Sequence, residues 1–170
     1  MKKAVCVLTN NKSGISGHIE FHEYKHYMKI FIDIKGLSPG LHGFHIHQTG
    51  DLRKGCDSLC SHFNPYNTLH GDIKDNKQNR HIGDLGNINV DSNGNAKYNM
   101  NDKLIRLSCK CNIIGRSVVI HEKEDDLGLG GIEKDENGEY IIIDKKIHSE
   151  SIKTGNAGKR IACGVIGWIK

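Results

Sequence analysis

Met28, Ile30, Ile32 and Ile34 recur at every second position, with Lys29, Phe31 and Asp33 between them. That period of two predicts a strand with one face in a core. Further runs with strand character cover residues 4–8, 15–21, 43–47, 87–90, 96–100, 117–121 and 163–169. Asn93-Gly94 separates two of them and reads as a two-residue hairpin turn, because both residue types tolerate positive φ. Gly36-Leu37-Ser38-Pro39-Gly40 is a second turn signal. No window has the apolar stripe of an amphipathic helix, and with 20 glycines the pattern indicates an all-β sandwich or barrel. Two long segments interrupt the rhythm, roughly 48–86 and 122–162. Long loops in a compact domain usually carry function.

Length changes the picture little: 170 residues without an evident linker or repeat read as a single domain over 1–170. Charge narrows the partners. The formal net charge is +4 but the basic residues are dispersed and aromatics are few, so no nucleic-acid footprint is expected. No stretch approaches the roughly 18 apolar residues of a membrane span. The apolar run at the start is too short for a secretory signal, and a cytoplasmic location is the expectation. The richness in Ile, Asn and Lys fits an AT-rich genome. In a large DNA virus, the compartment would be the host cytoplasm or the virion. Six cysteines allow fifteen complete pairings, so their number decides nothing.

The eleven histidines are more informative, because they cluster. His45-Ile46-His47 sends two imidazoles from one face of a strand, and His121 ends another strand. With His62 from the first long loop, these make an imidazole set suited to tetragonal Cu(II). His62, His70, His81 and Asp84 offer three imidazoles and a carboxylate, which suits tetrahedral zinc. Spacing alone does not establish that His62 is shared. His18, His22, His26, His42 and His148 read as surface or packing residues.

These residues lie in strings that resemble the Cu,Zn superoxide dismutases. They are Gly43-Phe44-His45-Ile46-His47, His62-Phe63-Asn64-Pro65, Arg80-His81-Ile82-Gly83-Asp84-Leu85-Gly86-Asn87, Gly115-Arg116-Ser117-Val118-Val119-Ile120-His121, Asp125-Asp126-Leu127-Gly128 and Thr154-Gly155-Asn156-Ala157-Gly158-Lys159-Arg160-Ile161-Ala162-Cys163-Gly164. The resemblance runs in family order from Val5 to Gly167. It implies an all-β, eight-stranded Greek-key sandwich or barrel with two long functional loops. It also implies one copper and one zinc ion per subunit. Copper would be held by His45, His47, His62 and His121, and zinc by His62, His70, His81 and Asp84, with His62 bridging. Asp125 would link His45 to His70, Cys56 and Cys163 would form a disulfide, and Thr154 and Arg160 would line the copper channel. The implied reaction turns two superoxide anions and two protons into dioxygen and hydrogen peroxide, with His62 carrying a proton. A homodimer is also implied.

Several positions depart from the family pattern. The span from His70 to His81 is longer than usual, with Gly71-Asp72-Ile73 in place of a commoner Gly-Gly-Pro. An insertion at about 132–149 contains Asn137-Gly138 and is expected to form a small hairpin. Glu150 keeps one acidic steering position, while Ser149 occupies its neighbour. Cys60 stands where glycine is frequent and is expected to be a buried free thiol. Cys109 and Cys111 are expected to be surface thiols. His18 and Thr49 replace an apolar and an aromatic residue expected at a dimer contact, although Gly164-Val165-Ile166-Gly167 supports that contact. The alternative reading is a catalytically inactive, copper-binding relative, which would be expected to lack a ligand or the channel arginine.

Overall fold

The computed structural model describes residues 1–8 and 14–170. Its main sheet contains β1 (Lys2–Val7), β2 (Ser16–Glu23), β3 (Met28–Lys35), β4 (Gly40–His47), β6 (Asp84–Val90), β7 (Asn95–Asp102), β8 (Ser117–His121) and β11 (Arg160–Trp168). A short β5 (Arg53–Cys56) lies in the first long loop. The second holds β9 (Ile132–Lys134), β10 (Tyr140–Ile142) and a helix, α1 (Lys145–Thr154). The eight-stranded sheet runs β6-β4-β8-β11-β1-β2-β3-β7, every neighbouring pair antiparallel. Contacts between the outermost strands, β6 and β7, bring it close to a closed barrel.

The alternation in β3 is realised as expected. Met28, Ile30, Ile32 and Ile34 are buried in one apolar cluster with Ile19 and Phe21 of β2 and Phe44 and Ile46 of β4. β4 and β8 are buried on both faces. Phe44 and Ile46 enter the core, so period two turns His45 and His47 the other way, where the long loops cover them. This division places the site.

Two expectations about secondary structure need correction. Asn93-Gly94 does not close a two-residue hairpin. Of the two, Gly94 alone has positive φ (78°), and the strands it joins, β6 and β7, lie at opposite ends of the sheet order. The turn closes instead through Asp91, whose amide donates to the Asn95 carbonyl and whose side chain accepts from the amides of Asn93 and Asn95. The helix α1 was not expected. Its start is set by Asp144, whose carboxylate accepts from the amides of Lys146 and Ile147, and its end by Gly155 at φ 67°. Capping rather than an apolar stripe defines it, and Ser151 is the one residue of the helix that is buried.

The inserted hairpin is present: β9 pairs with β10, and Asp135 and Gly138 close the turn. Cys56 and Cys163 are bonded, tying β5 to β11 across a sequence separation of 107. Cys109 is an exposed free thiol and Cys111 a partly exposed one. Cys60, expected to be buried, is an exposed free thiol. Its residue has φ 62°, a left-handed conformation that glycine adopts without strain, and this turns the side chain toward the surface. Among the described residues no helix is long and apolar enough to cross a membrane.

Candidate metal centre

His45 and His47 leave β4, His121 ends β8, and His62 joins them through an isolated bridge with His47. Potential ligand atoms of these four buried residues lie within 4.8 Å of one another. The tautomers follow from hydrogen bonding. Carboxylate and carbonyl oxygens can only accept, so a ring nitrogen facing one carries hydrogen unless a metal ion takes that proton's place between them. His45 Nε2 meets Asp125 Oδ2 at 2.7 Å, His47 Nδ1 meets the Cys60 carbonyl at 2.9 Å, and His121 Nδ1 meets the Gly158 carbonyl at 3.1 Å. The opposite nitrogens, His45 Nδ1, His47 Nε2 and His121 Nε2, are buried and have no partner. Burial lowers the pKa of all three rings, that of His121 to about 4. At neutral pH they are therefore uncharged, with lone pairs directed at a common point. Orphaned buried acceptors are costly, and a borderline metal ion is the partner that satisfies such a set.

A second group adjoins the first. Asp84 Oδ1 lies 2.8 Å from His62 Nδ1, 3.1 Å from His70 Nδ1 and 3.1 Å from His81 Nδ1, and the Nδ1 atoms of His62 and His81 are 3.4 Å apart. Ligands bound tetrahedrally at about 2.0–2.1 Å are separated by about 3.3 Å. The group has close to zinc dimensions. His62 belongs to both sets; its Nδ1 serves this one, and its ring stands 4.1 Å from that of His45. The remaining nitrogen, Nε2, is therefore available to the other set. Burial opposes charge on His70, but the Asp125 and Asp84 carboxylates outweigh it and raise its pKa to about 10. Burial likewise opposes charge on Asp84, yet its three imidazole partners hold it well below the usual carboxylate range.

Asp125 joins the two groups. Its Oδ2 accepts from His45 and its Oδ1 from His70 Nε2 at 2.8 Å. Asn87 on β6 fixes it by bonding both its amide and its carbonyl. Gly155 leaves room for it: a Cβ there would lie 1.9 Å from Asp125 Oδ1, and its φ of 67° also favours glycine. Asp125→Ala is expected to weaken zinc retention about 10–100-fold, the usual cost of losing such a partner. Metal content after dialysis against a chelator checks this. Retention equal to wild type would show that Asp125 does not orient the rings.

Above the histidines opens a cavity of about 470 Å³, into which Arg160, Thr154, Lys153, Glu150 and Cys60 project. Arg160 is pinned. Its Nη1 donates to the Cys56 carbonyl at 2.8 Å and its Nη2 to the Cys60 carbonyl at 2.6 Å. The Cys60 carbonyl thus holds both Arg160 and His47. Thr154 donates to the Glu150 carbonyl and carboxylate from the last turn of α1.

Arg80, Asn87, Gly155 and the Cys60 carbonyl have roles that the sequence pattern did not mark. Arg80 is 1% exposed and donates to the Asp84 carbonyl and to Asp102 on β7, which anchors the second metal group to the barrel. Its adjacency to His81 was the one available hint. The partners of the Arg80 guanidinium come from β6, β7 and the loop carbonyl of Asp75, and no spacing rule relates them.

The family model for copper/zinc superoxide dismutase matches residues 15–166. A superoxide dismutase [Cu-Zn] of Paramecium bursaria Chlorella virus 1 is 48% identical over 169 residues, covering 99% of this chain and 81% of that one. An extracellular superoxide dismutase [Cu-Zn] of Brugia pahangi is 47% identical, covering 96% and 74%. A superoxide dismutase [Cu-Zn] of Onchocerca volvulus is 46% identical, covering 96% and 94%. Among solved structures, the crystal structure of the clock protein EA4 superposes with a TM-score of 0.82 at 43% identity, covering 98% of this chain and 94% of that one.

Proposed function

The chain belongs to the copper/zinc superoxide dismutase family and is an enzyme of that kind, and from that premise we propose which residues carry the reaction. His45, His47, His62 and His121 would hold one copper ion, and His62, His70, His81 and Asp84 one zinc ion. When bound, copper supplies one-electron oxidation and reduction, and zinc supplies a redox-silent charge that orders the loop. The observation that carries this reading is the trio of buried, unpartnered nitrogens on His45, His47 and His121 beneath an open cavity.

The remaining work falls to the chain. Arg160 presents a fixed positive charge to an entering superoxide anion. At about 4 Å and an effective dielectric near 20, that attraction is about 4 kcal/mol before desolvation. Thr154, bonded to the Glu150 carboxylate, lines the same cavity and helps restrict entry to small anions. His62 can hold a proton at Nε2, the nitrogen turned away from Asp84, and deliver it to peroxide forming beside it. Asp125 keeps the His45 and His70 rings in one orientation throughout.

Metal analysis of the purified protein, with a superoxide-decay assay on the same sample, tests the proposal. The expected result is one copper and one zinc per chain with rapid catalysed decay. A fully loaded protein without decay would favour an inactive copper-binding relative, for which no structural observation speaks. Arg160→Ile is expected to lower the rate at low ionic strength by about tenfold or more with both metals retained. Unchanged turnover would remove Arg160 from the mechanism.

A homodimer is part of the proposal. Val7 of β1 and Val165 of β11 are exposed apolar residues side by side on adjacent strands. Sedimentation at micromolar concentration distinguishes a dimer from a monomer. For the compartment, one relative is named extracellular, and a disulfide is compatible with either side of a membrane. The four free cysteines among the described residues favour a reducing cytoplasm, a host's if the chain is viral. Fractionation of expressing cells tests this.

A further inference from the structure

The inserted hairpin leaves an open apolar edge. Among the described residues β9 and β10 pair only with each other, so neither strand has a second neighbour. The Ile143 amide donates to the Gly131 carbonyl and the Asp135 amide to the Glu139 carbonyl. With the register between them, this turns the backbone groups of Glu139, Ile141 and Ile143 toward β9 and those of Tyr140 and Ile142 away from it. Tyr140, Ile141, Ile142 and Ile143 are each 47–58% exposed, so solvent meets both faces of the strand as well as its free edge. Solvent-exposed runs of this kind mark interaction surfaces.

We propose that β10 pairs edge to edge with β10 of a second copy of this chain, joining two hairpins into one four-stranded antiparallel sheet. A hairpin of two strands is marginal by itself, and further strands stabilise it. Pairing centred on Ile141 sets Tyr140 opposite the second copy's Ile142 and Ile142 opposite its Tyr140. The outward amides and carbonyls of both copies are then satisfied together. Charge selects the occupant. Glu139 precedes the apolar run, and Lys145 and Lys146 follow it. An antiparallel copy brings its lysines to the Glu139 end, where diagonal neighbours lie within reach of long side chains. A parallel copy would set like charges alongside. The contact is thus self-complementary and twofold. It also closes at two copies, because the outer edge of β9 carries the exposed Glu133 and Lys134, and charged edges resist further strand addition.

Sedimentation of the metal-loaded protein across micromolar concentrations, wild type beside Ile142→Lys, tests the contact. The wild type is expected to form an assembly of twice the variant's mass, whether or not the β1–β11 face also associates. Ile142→Lys should raise the dissociation constant about tenfold or more, with superoxide decay unchanged. Hydrogen exchange reports the edge itself: the Tyr140 and Ile142 amides should become protected as the wild-type concentration rises, and stay unprotected in Ile142→Lys. Glu139→Lys should weaken the association, and Glu139→Lys with Lys145→Glu should restore it. Equal masses for wild type and Ile142→Lys, outward amides that exchange freely in the larger assembly, or a charge swap that restores nothing would each overturn the proposal.

Discussion

Arg80→Ala is expected to destabilise the chain by about 3–5 kcal/mol, the usual cost of removing one partner of a buried ion pair. Both members of the pair are 1% exposed, and the surviving Asp102 carboxylate would keep only the amides of Leu104 and Ile105 as donors. Urea denaturation of the metal-free protein measures the loss. The double variant Arg80→Ala with Asp102→Ala should recover part of it, because no uncompensated charge then remains buried. Zinc retention is expected to fall as well, since Arg80 also holds the carbonyl of Asp84. A loss below about 1 kcal/mol would mean that the pair behaves as though exposed to solvent.

Cys56→Ser is expected to cost up to about 4.7 kcal/mol, the chain-entropy value for a closed loop of about 100 residues. The functional consequence follows from position. The Cys56 carbonyl accepts from Arg160, and Cys163 lies on the same strand as Arg160. Loss of the bond therefore frees the channel arginine along with the loop. Catalysed superoxide decay should fall further than metal content does. Chemical denaturation with and without a reductant, alongside metal analysis, separates the two effects. A variant as stable as wild type would show that the two segments are held by other contacts.

The positions that share a core face were legible in β3, because period two is local. The His45-x-His47 pair was legible for the same reason, as were Asn137-Gly138 as a turn and the ligand residue types in the first loop. The copper and zinc sets, the disulfide and the roles of Asp125, Thr154 and Arg160 rested on the resemblance of whole strings to a family rather than on spacing. The geometry now groups the eight metal-type residues into three contiguous clusters, with Asp125 in one of them. Helix α1 escaped notice because its signal is two caps, Asp144 and Gly155, around residues that are polar on nearly every face.

Local alternation and residue chemistry were thus determined by the chain itself: which side chains turn away from the core, and which can bind a metal. Tertiary structure alone decided that Asp125 bridges His45 and His70, that Arg80 ties the zinc-type loop to Asp102, and that Cys60 turns outward while its carbonyl holds Arg160. The physical reason is that each of these contacts pairs groups separated by 22 to 100 residues. Their meeting depends on how strands stack and loops close, and a period of two residues carries no information about that.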